Sequence, residues 1–191
     1  VNMTKNDVIK RLKEYLDNYN ISYETAVDNG YIQLRMEFQA DNSPDQMVEA
    51  CIWFYKECAE LHCYYSSLGA LLCQKSEYRS RLLRVINFIN ARVYLACGAL
   101  NGLYEPHTLY TPRMYVTEEG YFDITVTTII NYDFVEVAPI ETFDYITCYN
   151  PELLDRLAYP IFGVLIGSIT EEEAIVYIKQ YMLKNNEACS S

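Results

Sequence analysis

The chain of 191 residues carries 15 lysines and arginines against 26 aspartates and glutamates, a formal net charge of −11. Because nucleic acids and anionic lipid surfaces are bound through basic side chains, this charge argues against nucleic-acid and membrane partners. Hydrophobic residues make up 51% of the chain, which excludes a disordered tail, and the length predicts a single domain over residues 1–191.

The first part of the chain predicts a helix followed by a β-hairpin. In "TKNDVIKRLKEYLDNYN" the apolar residues have helical spacing, and Thr4 is placed to act as the N-cap. Asp28-Asn29-Gly30 predicts a tight turn, because such a turn needs positive φ values that Asn and Gly accept. The strand after the turn alternates apolar and polar residues, which indicates that only one of its sides is covered.

Residues 47–66 predict a second hairpin, since this segment is rich in aromatic and β-branched residues and has a polar break at Lys56-Glu57. Its first strand carries apolar residues on both sides: Val48, Ala50, Ile52 and Phe54 on one, and Cys51, Trp53 and Tyr55 on the other. Something is therefore expected to cover each side. The cover is either the chain's own C-terminal helices, or a second subunit or peptide bound by the aromatic anchors Trp53, Tyr55, Tyr64 and Tyr65.

The middle of the chain predicts one helix and several strands. The segment "SEYRSRLLRVINFINARV" places on one helical face Leu82, Leu83, Ile86, Ile89 and Val93. Short strands are expected around residues 94–100 and 113–116. A turn at residues 117–120 leads into the alternating strand "YFDITVTTIINYDFV".

The end of the chain predicts paired helices, so that residues 4–135 form a helix–sheet core and residues 136–184 a C-terminal helical segment. The prolines Pro151 and Pro160 predict a kink or restart within it. The oily run 157–169 is about 13 residues long, shorter than the ~20 residues of a transmembrane helix. After Gly167-Ser168, Thr170 begins a last helix with a capping box. The predicted fold is α+β, an antiparallel β-sheet packed against α-helices.

This order of elements and two local patterns resemble the bacterial YbjN family, whose fold is like that of type III secretion chaperones. The first pattern is "RVINFINARVYLACGAL", a helix with two asparagines that runs into a strand. The second is "DRLAYPIFGVLIGSITEEEAI", an aromatic-Pro pair, an apolar run, a glycine and the acidic start of the last helix. The resemblance implies an α+β domain that often self-associates and for which no catalytic residues are established.

The sequence predicts no catalytic residue, no metal and no cofactor. Cys58, His62 and Cys63 form the most metal-like cluster, but zinc requires about four ligands, and neighbours on a strand point to opposite faces. A nucleophilic pair of His107 with a cysteine lacks any group that would activate the thiol. The odd number of seven cysteines, without a CxxC pair or a secretory signal, predicts a reduced, cytoplasmic protein.

Two functional hypotheses follow from these patterns. The first is a non-enzymatic protein-interaction or chaperone-like domain that binds a protein or peptide, or itself as a homodimer, at a sheet edge or in a groove. The alternative is a small-molecule sensor or enzyme with a pocket between the sheet and the C-terminal helices. In that case the glycines near residues 161–166 would leave a cavity.

Overall fold

The computed structural model describes residues 3–93, 110–118 and 120–183. This part of the chain contains a six-stranded antiparallel sheet with the strand order β1-β2-β3-β4-β6-β5. The strands are β1 (Tyr23–Asp28), β2 (Tyr31–Gln39), β3 (Met47–Phe54), β4 (Cys58–Tyr65), β5 (Arg113–Val116) and β6 (Ile124–Asn131). The helices are α1 (Lys5–Asn18), α2 (Ser67–Lys75), α3 (Arg79–Arg92), α4 (Tyr132–Val137), α5 (Pro139–Asp144), α6 (Asn150–Leu165) and α7 (Glu171–Ile178). The predicted α+β class is confirmed.

The first helix and both hairpins form where the sequence predicts them. At the start of α1 the Thr4 hydroxyl accepts a hydrogen bond from the Asp7 N–H, and the Asp7 carboxylate accepts one from the Thr4 N–H. The Thr4 hydroxyl also donates to the Asp7 carboxylate, and this bond together with the one from the Thr4 N–H holds the pKa of Asp7 below its usual value. The turn between β1 and β2 has positive φ at both Asn29 and Gly30, as a tight hairpin turn requires. Strands β3 and β4 form the second predicted hairpin.

The helices pack against one face of the sheet, here called the helical face; the opposite one is the open face. Helix α6 lies over β3 and β4, and α7 and α3 pack against α6. The residues at the centre of this layer have no exposed surface: Leu34, Ile52, Phe54, Leu61, Leu82, Ile89, Leu154, Leu157 and Ile161. Helices α6 and α7 therefore fold back as a pair over the sheet, as the sequence predicts.

Helix α2 has no counterpart among the predicted elements. It is short, and Gly69 within it lets the helix approach the sheet closely, since a Cβ there would lie 2.7 Å from the Cβ of Tyr65. The face of α3 also differs from its prediction, because Leu83 is 56% exposed while Val85 is buried. Adjacent residues of a helix point about 100° apart. When Leu82 faces the core, Leu83 therefore points to the side and stays exposed.

Strand β6 ends earlier than its sequence pattern indicates. Asn131 accepts a hydrogen bond of 2.8 Å from the Asp133 N–H and so caps a new helix, α4. The boundary between sheet and C-terminal helices therefore lies at residue 132, not at residue 136. The predicted strand at residues 113–116 is confirmed as β5, and the one at 94–100 lies outside the described residues.

The expected restart within the C-terminal segment is a π-helical turn, Tyr145–Tyr149, directly before Pro151. A wider turn accommodates a proline that donates no backbone hydrogen bond. Helix α6 ends at Leu165, two residues before Gly167, whose φ is +73°. Helix α7 begins at the capping box of Thr170 and Glu173. Within the described residues, every helix falls short of the length and apolarity needed to cross a bilayer.

Candidate functional site

The open face of the sheet carries an unusual density of aromatic side chains. Strand alternation and register place on it Tyr31, Trp53, Tyr55, Tyr64 and Tyr115. Ile129 adds an aliphatic side chain that is half exposed. The residues described as lining the two concavities of this face come from strands and adjoining loops, whereas the helices cover the opposite face.

Three of the four predicted aromatic anchors lie on this face. Trp53 and Tyr64 are partly buried near its centre. Tyr55 lies towards one end, where its ring contacts that of Tyr31 at 5.0 Å and its hydroxyl donates to Glu60. Tyr65 was wrongly grouped with them. It lies on the helical face, 1% exposed, and its hydroxyl donates a 2.6 Å hydrogen bond to the carbonyl of Leu154.

A concavity of about 210 Å³ lies at the centre of the open face. Six residues line it: Trp53, His62, Tyr64, Thr117, Asp123 and Thr125. The Trp53 ring meets the His62 ring edge to face, with centroids 4.9 Å apart. His62 is oriented in turn by Glu60, whose carboxylate lies 3.1 Å from His62 Nε2. Two of the rings that line the concavity, those of Trp53 and His62, are thus positioned by each other and by Glu60.

The loop between β5 and β6 holds the Asp123 carboxylate at this concavity. The Asp123 N–H donates to the Thr117 hydroxyl at 2.8 Å, and the Thr117 N–H donates to the Asp123 carbonyl at 2.9 Å. Between them Phe122 has a φ of +57°, a strained conformation for a bulky residue. The backbone is therefore constrained on both sides of this carboxylate.

Burial disfavours the charged forms of two carboxyl groups on this face. It raises the pKa of Asp123, although a hydrogen bond from Thr117 lowers this pKa in part. It also raises the pKa of Glu49, which is hydrogen-bonded to Tyr64 and lies close to Glu37 and Asp123. The negative charge of this part of the face is therefore only partly solvated.

A second concavity, of about 410 Å³, adjoins the first. Its open-face lining includes Glu24, Arg35, Glu37, Glu49 and Tyr64, so that Tyr64 borders both concavities. Arg35 donates two hydrogen bonds to the side-chain oxygen of Gln33, at 3.2 and 2.9 Å. The two concavities therefore lie on either side of Tyr64.

The sheet also brings together a cysteine and a histidine that sequence reasoning did not pair. Cys51 and His62 are cross-strand partners on the open face. The thiol of Cys51 is buried, which raises its pKa to about 11, the opposite of what activates a nucleophile. The hairpin length alone could have revealed the pairing, because it sets the register of β3 against β4.

The metal-like cluster of the sequence is divided between the two faces. Cys63 is fully buried on the helical face, whereas His62 lies on the open face. Over residues 3–93, 110–118 and 120–183, no three His, Cys, Asp or Glu side chains are grouped so as to hold a metal ion. His107 lies outside the described residues.

Gly163, the glycine within α6, lies against the connection to α7. A Cβ at Gly163 would lie 2.9 Å from the side chain of Ile169, so this glycine allows the α6–α7 connection to pack closely. On the sheet side of α6, Leu157 and Ile161 are fully buried. The concavities at the centre of the sheet lie on its other face.

A second group of tyrosines, on the outer side of the C-terminal helices, was not singled out from the sequence. The rings of Tyr159, Tyr177 and Tyr181 contact one another in series at tilted angles, with centroids 4.7 and 4.6 Å apart. Tyr159 and Tyr181 are each more than half exposed. Tyr177 on α7 and Tyr181 in the π-helical turn Lys179–Leu183 that follows are four residues apart, a spacing that could have revealed part of this ladder.

Comparison of the chain with protein-family models, with curated proteins and with solved structures finds no match.

Proposed function

We propose that this chain is a non-enzymatic interaction domain that binds a protein or peptide partner on the open face of its sheet. The observation that supports this function is the set of aromatic side chains on the face opposite the one against which the described helices pack. Large aromatic residues contribute most of the binding free energy in protein interfaces, particularly where they line pockets. Trp53 and Tyr64 have this position at the concavities.

The titratable groups of the same face favour binding over catalysis. The Cys51 thiol has a raised pKa, and the His62 nitrogens lie near Glu60 and Thr127, at 3.1 and 3.4 Å. An activated nucleophile would instead have a lowered pKa or an adjacent base in hydrogen-bonding distance. A chaperone-like role and membership of the YbjN-like family belong to the same proposal, supported by the order of helices and strands. A cytoplasmic location belongs to it as well, supported by the free thiols of Cys51, Cys58, Cys63, Cys73 and Cys148.

Site-specific photo-crosslinking tests this function. A photoreactive phenylalanine replaces Tyr115, which is exposed on the open face, or in a control protein Tyr159, which is exposed on α6. We expect a discrete partner to be captured from position 115 and not from position 159. Capture of a second copy of the chain at position 115 would identify the partner as itself.

The captured partner is then purified and its affinity for the intact protein is measured by calorimetry. Trp53→Ala should weaken this binding by roughly tenfold or more, as expected for a central aromatic anchor. Leu83→Ala, at an exposed position of α3, serves as the control and should not change it. Equal affinity of the wild type and the folded Trp53→Ala variant would contradict the proposal, as would identical capture from both positions.

A further inference from the structure

The smaller concavity of the open face is suited to a single side chain. Its volume of about 210 Å³ lies below the range of about 300–1,000 Å³ that is usual for pockets that enclose drug-sized ligands. Trp53 and Tyr64 contribute aromatic rings to its lining, and Asp123 contributes a carboxylate. A group that combines an extended apolar stem with a charged end fits such a lining.

The Asp123 carboxylate has no cationic partner among the described residues. Burial raises the pKa of Asp123, and the group that offsets this effect is Thr117, through a hydrogen bond to the carboxylate. The ion pairs of the described residues involve other carboxylates, such as Glu171 and Glu172 with Arg84. A cation that enters the concavity would therefore compensate a partly desolvated charge that the described residues leave uncompensated.

The aromatic rings favour the same class of ligand. A guanidinium or ammonium group gains about 0.5–2 kcal/mol when it packs over an aromatic face, and tryptophan is the most favourable ring. The edge-to-face contact with His62 holds the Trp53 ring at the wall of the concavity. The net charge of −11 adds a long-range attraction for basic partners.

We infer that this concavity binds an arginine or lysine side chain of the partner polypeptide, packed on Trp53 and Tyr64 and paired with Asp123. The inference rests on the proposed function, since it takes the open face as the surface that meets the partner. A polypeptide is favoured over a free amine because the larger concavity adjoins this one at Tyr64. The binding surface therefore extends beyond the reach of one small cation.

The single tryptophan of the chain makes a direct test possible, because Trp53 contributes the one indole N–H signal in a nitrogen–proton correlation spectrum. The probes are the peptide acetyl-Gly-Gly-Arg-Gly-Gly-amide, the same peptide with neutral citrulline in place of arginine, and methylguanidinium chloride. We expect the arginine peptide to shift the Trp53 signal and the citrulline peptide to leave it unchanged. Methylguanidinium should bind roughly tenfold more weakly than the peptide, because it lacks the backbone and the stem.

Two variants locate the charge that binds the probe. Asp123→Asn keeps the shape of the side chain and should weaken binding of the arginine peptide by roughly tenfold. Glu141→Gln, which removes an exposed carboxylate from α5, should leave the affinity unchanged. If Asp123→Asn does not fold, Trp53→Phe supplies a weaker ring at the same site, and its reduced affinity is read from the Thr125 amide.

Equal shifts with the arginine and citrulline peptides would overturn the inference, and so would unchanged affinity in a folded Asp123→Asn variant. Equal affinity for methylguanidinium and the peptide would also overturn it, because the occupant would then be a free cation. If the Asp123→Asn variant still captures the partner at position 115 but no longer binds the arginine peptide, the proposed function is supported and this side-chain site is not part of it. Peptide binding without any partner capture at position 115 contradicts the proposed function and retains the cation site.

Discussion

Tyr64 and Tyr65 are neighbours in β4 but belong to different environments. Tyr64 lies on the open face beside Glu49 and borders both concavities, while Tyr65 is buried under α6 and donates a hydrogen bond to Leu154. Strand alternation places one ring in a binding surface and the other in the core. The two positions should therefore respond differently to the same substitution.

Tyr65→Ala should lower the free energy of unfolding by about 3–5 kcal/mol, as for other large aromatic side chains removed from a core. Tyr65→Phe removes only the hydroxyl bonded to Leu154 and should cost about 0.5–1.5 kcal/mol. Tyr64→Ala should destabilise the protein less than Tyr65→Ala, because Tyr64 is only partly buried. Urea denaturation followed by circular dichroism measures all three. Similar losses for the two alanine variants would contradict the division between the faces.

Gly167→Ala should destabilise the end of α6 for two reasons. The position has a φ of +73°, which costs a residue with a Cβ about 1–2 kcal/mol, and the new Cβ would lie 2.6 Å from the Tyr78 ring. Gly30→Ala is the matched control, since Gly30 also has positive φ but no atom within 4 Å of the place that a Cβ would occupy. We expect Gly167→Ala to lower the melting temperature more than Gly30→Ala does. Equal shifts would show that Tyr78 moves aside without cost.

Asn90 forms hydrogen bonds with the backbone of β5 on the outer edge of the sheet. Its side-chain amide donates to the Met114 carbonyl at 3.0 Å and accepts from the Met114 N–H at 2.9 Å, as a neighbouring strand would. Asn90→Ala should cost about 0.5–1.5 kcal/mol, because the two hydrogen bonds to Met114 are lost while water can reach this exposed position. Asn87→Ala, on the exposed side of the same helix, should be neutral or slightly stabilising, since alanine is the better helix former. Chemical denaturation decides between these outcomes, and a neutral Asn90→Ala would contradict the role of the amide.

The carboxylates of the open face should reduce stability at neutral pH. Burial raises the folded-state pKa of Asp123 and Glu49 above the ordinary values of 3.8 and 4.5, so the folded state binds protons more tightly than the unfolded state does. Stability from these groups therefore falls as the pH rises from the ordinary values through the raised ones. Asp123→Asn and Glu49→Gln should raise the melting temperature at pH 7.5. The gain should shrink towards about pH 4, where the carboxyl groups of the unfolded chain become protonated as well. Lower melting temperatures for both variants at every pH would show that the charged forms are stabilising.

The cysteines should differ in their reactivity towards alkylating agents. The Cys51 thiol is buried with a pKa of about 11, and Cys63 is fully buried, whereas Cys148 is exposed. Brief treatment of the native protein with iodoacetamide at about pH 8, below the ordinary thiol pKa, should modify Cys148 and spare the other two. Peptide mass spectrometry measures the modification, and treatment in urea should label all three. Rapid native labelling of Cys51 would contradict the burial of this thiol.

Local patterns were sufficient to predict α1, both hairpins and the capped start of α7. Each depends on neighbours within a few residues, such as Thr4 with Asp7, or Asn29 with Gly30. The exposed Leu83 and the early end of β6 at Asn131 were not predictable in this way. The exposure of Leu83 depends on which elements pack against α3, and the end of β6 depends on where α4 turns away from the sheet.

The sequence by itself determined that Trp53 and Tyr64 would lie on strands, because alternation and turn chemistry are encoded locally. Tyr55, predicted on the same strand as Trp53, follows directly after its end. Only the tertiary structure decided that the helices cover the face of Tyr65 and not the face of Tyr64, and that Asp123 lines the same concavity as Trp53. Strand register and helix placement bring together residues some 70 positions apart, and no local pattern specifies such a contact.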